Sequence, residues 1–202
     1  MDEDQYNKIK QFWLKRAASD KFLWQDLTDL NCKLIEPYIT SDSEILDLGA
    51  GDCRIALKLV EKCKSIKAVD YVPKNTNHPK IEYVQSNIID FSDNNKYDLI
   101  LLFGVMNYFS RDDSIKIYKQ CKQLLKPKGI LIIKHQCGRE NDVLINTYSE
   151  DTKDYYISNY RWFKNEIIDI ELTGLKVNAI DAYPPSYNKW PNTFFKAFIA
   201  SA

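Results

Sequence analysis

Net charge is the first thing this chain lacks: its 202 residues hold 28 basic and 28 acidic side chains. A neutral total gives no bulk electrostatic pull toward nucleic acid or a membrane surface. No apolar run reaches bilayer length; the longest, 99–106, is far too short to span. The opening MDEDQYNKIK is polar and acidic, without the basic flank and apolar core of a signal peptide. His78 and His135 are the only histidines. Neither has a second ligand at metal-site spacing, so no metal is expected. The cysteines (Cys32, Cys53, Cys63, Cys121, Cys137) are odd in number, widely spaced and free of any Cys-x-x-Cys pair. They read as reduced, mostly buried thiols of a cytoplasmic protein. No repeat, low-complexity tract or Pro/Gly/Ser linker divides the chain, which predicts one compact domain over 1–202.

What is present is alternation. Residues 1–40 read as a helical cap. Phe12, Trp13, Arg16, Phe22, Leu23, Trp24, Leu27, Leu30, Leu34 and Ile35 recur at roughly helical spacing, and Pro37 stops the pattern. Strands are then expected at 44–48, 66–71, 81–85, 97–103 and 130–134, with helices at 54–63 and 112–126 between them. The almost fully apolar 97–103 suits a strand buried on both faces. A helix is expected near 159–172. Two strands, 175–181 and 193–200, flank the loop YPPSYNKWPN. Alternating strand and helix argues for an α/β fold with a mostly parallel sheet and helices on both faces. The final pair lacks an intervening helix, so the last strand should run antiparallel. Ligands of such sheets bind beyond the carboxyl ends of the strands. Gly49-Ala50-Gly51 falls at that edge, with Asp70, Asn87, Gly104 and His135.

The turn in EILDLGAGDCRIALKL admits a ligand close to its backbone, because Gly49 and Gly51 can take angles closed to other residues. A dinucleotide fingerprint would want a third glycine where Arg54 stands. Asp47, two residues before Gly49, would face a pyrophosphate unfavourably and suits a cationic group better. Asp70, at the end of the second strand, can accept hydrogen bonds from both ribose hydroxyls; the alternative is a solvated acid at a strand end. Asn87 offers a donor and an acceptor that suit an adenine edge, with Ile88 as an apolar wall, or it is simply a turn residue.

In this order the motifs resemble those of the class I S-adenosylmethionine-dependent methyltransferases, from about Ile45 to the C-terminus. ILDLGAG is similar to the family's glycine motif and AVDYV to its ribose motif. VQSNIIDF resembles the adenine-side motif, YDLILLFGVMNYF the fourth-strand motif, and LLKPKGILIIKH the run into the fifth strand. Cys53 stands at the family's third glycine and Asn87 where aspartate is commoner. The resemblance implies a Rossmann-like seven-stranded sheet with the last strand antiparallel, extra N-terminal helices, a cofactor half at 44–135 and an acceptor half at 136–202. It also implies S-adenosylmethionine as cofactor. Gly49 and Gly51 would hold its methionine end with Asp47 near the ammonium. Asp70 would hold the ribose, and Asn87, Ile88 and Tyr71 the adenine. The backbone at Phe103–Gly104 would meet the amino-acid part. On the N-terminal helix, Arg16 would pair with the cofactor carboxylate while Trp13 and Trp24 cover it. Alternatively, the tryptophans belong to an amphipathic helix packed on the sheet.

The acceptor side rests on fewer residues. His135, at the end of the fifth strand, is the candidate catalytic base; the alternative is a histidine that only hydrogen-bonds. Asn107, Tyr108, Arg139, Tyr160, Arg161 and Asn188 are candidate acceptor contacts. Lys134, Arg139, Arg161 and Lys189 carry charge suited to an anionic acceptor. This tail resembles small methyltransferases of bacterial capsule and surface-sugar gene clusters. That implies methyl transfer to an oxygen of a small sugar- or phosphate-type acceptor, with no nucleic-acid or membrane partner. Three rivals stand beside it: a non-catalytic cofactor-binding partner subunit, a nicotinamide-dependent oxidoreductase and a nucleic-acid methyltransferase. The absent third glycine speaks against the oxidoreductase. The absent Asn-Pro-Pro-Tyr signature and the neutral charge speak against the nucleic-acid enzyme.

Overall fold

The computed structural model describes residues 3–18, 26–74 and 76–202. Its strands are β1 (Glu44–Leu48), β2 (Ser65–Asp70), β3 (Ile81–Gln85), β4 (Tyr97–Phe103), β5 (Leu125–Gly138), β6 (Val143–Ser149), β7 (Asp154–Tyr160), β8 (Lys176–Asp181) and β9 (Thr193–Ser201). Its helices are α1 (Glu3–Ala17), α2 (Thr28–Ile35), α3 (Arg54–Leu59), α4 (Arg111–Leu124) and α5 (Phe163–Glu171). Seven strands form one sheet in the order β3-β2-β1-β4-β5-β9-β8. β1 to β5 pair parallel. β9 runs antiparallel to both its neighbours, as the missing helix before it predicts.

Side chains alternate across each strand, so the sheet feeds two apolar layers. Leu46, Leu48, Ile100, Leu102 and Ile133 pack with Ile117 and Cys121 of α4 and Ile170 of α5. Ile45, Leu99, Leu101 and Ile132 pack with Ile35 of α2 and Leu59 of α3. Both layers draw on β4, which explains its unbroken apolar run. Among the described residues, no helix is long and apolar enough to cross a membrane. Phe22, Leu23 and Trp24 lie outside the described residues.

Some boundaries move for local reasons. Ser110 caps α4 by accepting from the Asp113 N–H at 3.1 Å. That helix ends at Leu124 and runs straight into β5. Pro127 is therefore inside a strand, beside a register shift against β4 between Tyr97 and Leu99; proline is tolerated at such irregularities. The largest difference is at 136–160. β5 continues to Gly138, and β6 and β7 form a separate antiparallel hairpin. The helix expected at 159–172 begins only at Phe163, because Asn159 and Tyr160 close β7. α1 packs on β7, with the Phe12 and Tyr156 ring centroids 5.6 Å apart.

Candidate active site

The glycine turn leaves β1 through a run of left-handed residues: φ is +81° at Gly49, +55° at Gly51 and +63° at Cys53. A Cβ on Gly49 would lie 3.0 Å from Val105, so backbone angle and space both require glycine there. Cys53 adopts the conformation a third glycine would supply, at a cost of about 1–2 kcal/mol for an L-residue. The departure in the sequence thus leaves the turn intact. Asp70 locks the turn from the next strand. One carboxylate oxygen accepts from the Gly51 N–H at 2.8 Å and the other from the Val72 N–H at 3.0 Å. Burial raises the pKa of Asp70 and these backbone bonds oppose the rise. Beside it Asp47 is 2 % exposed, and its Oδ2 has no hydrogen-bond partner. Burial, then the charge of Asp70, pushes its carboxyl up to about 7.

α1 roofs a cleft lined by Gly49 and Asp70 with Tyr6, Ile9, Lys10 and Trp13, and Asp47 lies outside that lining. Tyr71, Asn87, Ile88 and Tyr108 line its other walls. Asn87 also accepts from the Ile89 N–H at 3.3 Å, so it is a turn residue and a cleft residue together. The Tyr71 hydroxyl is buried without a partner, and burial, with Asp70 nearby, raises its pKa. Trp13 meets Tyr108 edge-on at 5.5 Å. From there the polar contacts run into the hairpin. The Tyr108 and Tyr156 hydroxyls lie 3.3 Å apart, and those of Tyr156 and Tyr160 2.9 Å. The Asn107 amide donates to Ser158 Oγ at 2.6 Å.

A methyltransferase-domain family model matches residues 46–133, the stretch that holds the turn, both acids and Asn87. That stretch is under half of the chain, and the sheet around it has the fold of solved S-adenosylmethionine-dependent methyltransferases. One relative, N-terminal Xaa-Pro-Lys N-methyltransferase 1 of Ailuropoda melanoleuca, is 28 % identical over 151 residues, covering 68 % of this chain and 65 % of its own length. Another, ubiquinone biosynthesis O-methyltransferase of Rickettsia bellii, is 28 % identical over 102 residues, covering 46 % of this chain and 42 % of its own length. The match thus spans less than two thirds of either relative. A solved S-adenosylmethionine-dependent methyltransferase from Leishmania major shares the fold, with a TM-score of 0.75 over 97 % of this chain and 82 % of its own, at 18 % identity.

Several expected site residues sit away from the cleft. Arg161 does not face the cleft. It is 6 % exposed and donates to Glu166 at 2.7 Å and Asp169 at 3.3 Å, so its charge is already neutralised. His135 is 2 % exposed, with Nε2 3.9 Å from Glu166 Oε1 and Nδ1 buried without a partner. Burial, then the charges of Arg161 and Lys134, lowers its pKa to about 3. It is not among the residues lining the cleft, and an imidazole this weakly basic is a poor proton acceptor near pH 7. Arg139 and Asn188 border a different cavity, beside Tyr183 and Lys196 at the β8–β9 end. There the Arg139 guanidinium lies 4.8 Å from the Phe194 ring centroid and its Nε donates to Thr193 O at 3.2 Å. Arg16 is 9 % exposed and outside the cleft lining. Burial is the main influence on it, followed by Asp151 and Arg54. The Phe103 ring packs with the α2–α3 layer, so only its backbone belongs to the sheet edge. Tyr6, Ile9 and Lys10 were absent from the expected set, although with Trp13 they make a helical i, i+3, i+4, i+7 stripe.

Proposed function

We propose that this protein transfers a methyl group from S-adenosylmethionine to an oxygen of a small polar acceptor. The observation that carries the reading is the acid pair at the glycine turn. Asp70 grips the turn and keeps lone pairs for a ribose diol, while Asp47 leaves a buried carboxylate oxygen unpartnered. An ammonium is the group that such an oxygen suits. Asn87, Ile88 and Tyr71 are placed for the adenine, and Trp13 closes the cleft from α1. S-adenosylmethionine supplies an electrophilic methyl on a sulfonium. The chain contributes alignment and dryness, worth effective molarities on the order of 10⁵–10⁸ M in well-oriented reactions.

The hydroxyls of Tyr108, Tyr156 and Tyr160 and the Asn107–Ser158 pair orient a polar acceptor at the hairpin side. An alcohol must lose a proton during transfer, and His135 is too weakly basic and too enclosed to take it. An oxygen already ionised at neutral pH, of phosphate or carboxylate type, needs no base. Surface-sugar assembly is one setting that supplies such acceptors. The five cysteines are buried and free, which suits the cytoplasm.

A thermal-shift comparison tests the cofactor. A ligand at 100 times its Kd adds about 2.7 kcal/mol, so S-adenosylhomocysteine should raise the melting temperature and NAD should not. No shift with S-adenosylhomocysteine would overturn the reading. Once an acceptor is in hand, His135→Asn should reduce turnover less than tenfold. A loss of roughly 10²–10⁴, the size of a general-base contribution, would restore His135 as the base.

A further inference from the structure

Lys134 is a buried cation that forms no ion pair among the described residues. It is 6 % exposed. Its Nζ lies 5.3 Å from the Phe103 ring centroid, 5.3 Å from Tyr183 and 5.7 Å from Phe195. Among the described residues no carboxylate forms an ion pair with it, unlike the other enclosed cations: Lys67 has Asp93 at 2.5 Å, Lys196 has Asp181 at 2.9 Å and Arg161 has Glu166 at 2.6 Å. Burial alone lowers the Lys134 pKa, to about 8, with no neighbouring acid to oppose it. Three aromatic faces attract an ammonium, but a ring face is no lone-pair acceptor for its N–H donors.

Its place in the sheet gives that imbalance a direction. Phe103 pairs with Lys134 across β4 and β5, two residues beyond the row Asp47–Leu101–Ile132. Lys134 is therefore level with Gly49, two strands away, or about 10 Å at the usual strand spacing. By strand alternation Asp47, Phe103 and Lys134 emerge on one face. The Gly104 N–H donates to the Lys134 carbonyl at 2.7 Å and ties the end of β4 to this point. An acceptor that takes a methyl from a cofactor seated at Gly49 would lie next along that edge.

We propose that Lys134 is an oxyanion seat: its ammonium receives the carboxylate or phosphate-type group of a small ligand bound at the carboxyl end of β4, where β5 runs past it. Resting on the methyl-transfer reading, this makes the acceptor an acidic molecule. The same edge would also receive a second oxyanion, the carboxylate of the cofactor's methionine end, and the experiment separates the two.

Calorimetry on the full chain and on Lys134→Met would compare S-adenosylhomocysteine with 5′-methylthioadenosine, which lacks the amino-acid end. Inorganic phosphate would then be titrated into the free and the nucleoside-loaded protein. The expected result is unchanged affinity for both nucleosides, with saturable phosphate binding lost in Lys134→Met and kept in Lys134→Arg. A tenfold or larger loss for S-adenosylhomocysteine, with none for 5′-methylthioadenosine, would assign the seat to the cofactor carboxylate and support an oxyanion seat of that source. Unchanged binding of all three probes would overturn the seat. Failure of the wild-type protein to bind either nucleoside would overturn the methyl-transfer reading instead, and phosphate titrated into the free protein would still read Lys134. Lys134→Met should melt at or above the wild-type temperature, because an apolar chain of similar volume replaces an unpaired buried charge. A loss of binding would therefore not reflect unfolding.

Discussion

Glu166→Ala is expected to destabilise the protein by about 3–5 kcal/mol, the range for removing one partner of a buried ion pair. In urea it should appear as a lower midpoint at unchanged slope. Glu166 is fully buried and takes hydrogen bonds from Arg161 at 2.7 Å and from the Tyr118 hydroxyl. Arg161 also meets Asp169 at 3.3 Å, and Asp169 meets Arg111 at 2.7 Å, whose side chain is 60 % exposed. The charges alternate from the surface inward, Arg111, Asp169, Arg161, Glu166. Alanine at the inner end leaves Tyr118 without an acceptor and Arg161 with one carboxylate shared with Arg111. A double replacement, Arg161→Met with Glu166→Leu, should therefore be milder than Glu166→Ala alone, since it removes both charges and fills the space. Equal stability of Glu166→Ala and wild type would show that the ladder is not held together in solution.

That ladder was not legible in the sequence. Arg161, Glu166 and Asp169 have the spacing of charges on the wet face of a helix, and nothing local marks them as buried. Burial is decided by what α5 packs against, here α4 with Tyr118 and β5 with His135 and Cys137. The same ignorance of packing made His135 look like an accessible base. The hairpin was hidden for a different reason. Val143 to Ser149 mixes apolar and polar residues on both faces, Val143, Ile145, Thr147 and Ser149 on one and Leu144, Asn146 and Tyr148 on the other, so period-two alternation has no polar side to reveal it. The glycine turn and the strands around it were legible because their signals are local and close in sequence. A strand, a Gly-x-Gly turn, an acid at the end of the next strand and an asparagine after the third each depend on a few adjacent residues. Their convergence then follows from the parallel order of β1, β2 and β3, which alternation had already implied. The helical stripe on α1 was legible too, but it was read from Phe12 onward and so stopped short of Tyr6, Ile9 and Lys10.

Asp70→Ala should weaken S-adenosylhomocysteine binding by about 100-fold or more, measured by calorimetry. Two hydrogen bonds from a ribose diol to a carboxylate are each worth about 1.5–3 kcal/mol, and every 1.4 kcal/mol is about tenfold. The loss has a second source. Without the carboxylate, the Gly51 and Val72 N–H groups lose their acceptors, and the left-handed turn from Gly49 to Cys53 loses its clamp. Asp70→Asn should recover little of the affinity. Its amide has one accepting oxygen where the carboxylate uses two, so either Gly51 or Val72 would face an NH₂ group. Unchanged affinity in both variants would remove Asp70 from the ribose site and leave it a turn clamp alone. One compensation works against the loss. Asp70 is among the causes that raise the Asp47 pKa, so its removal lets Asp47 ionise more fully and hold an ammonium more tightly. The measured decrease therefore combines the ribose bonds with the turn clamp, less what Asp47 regains.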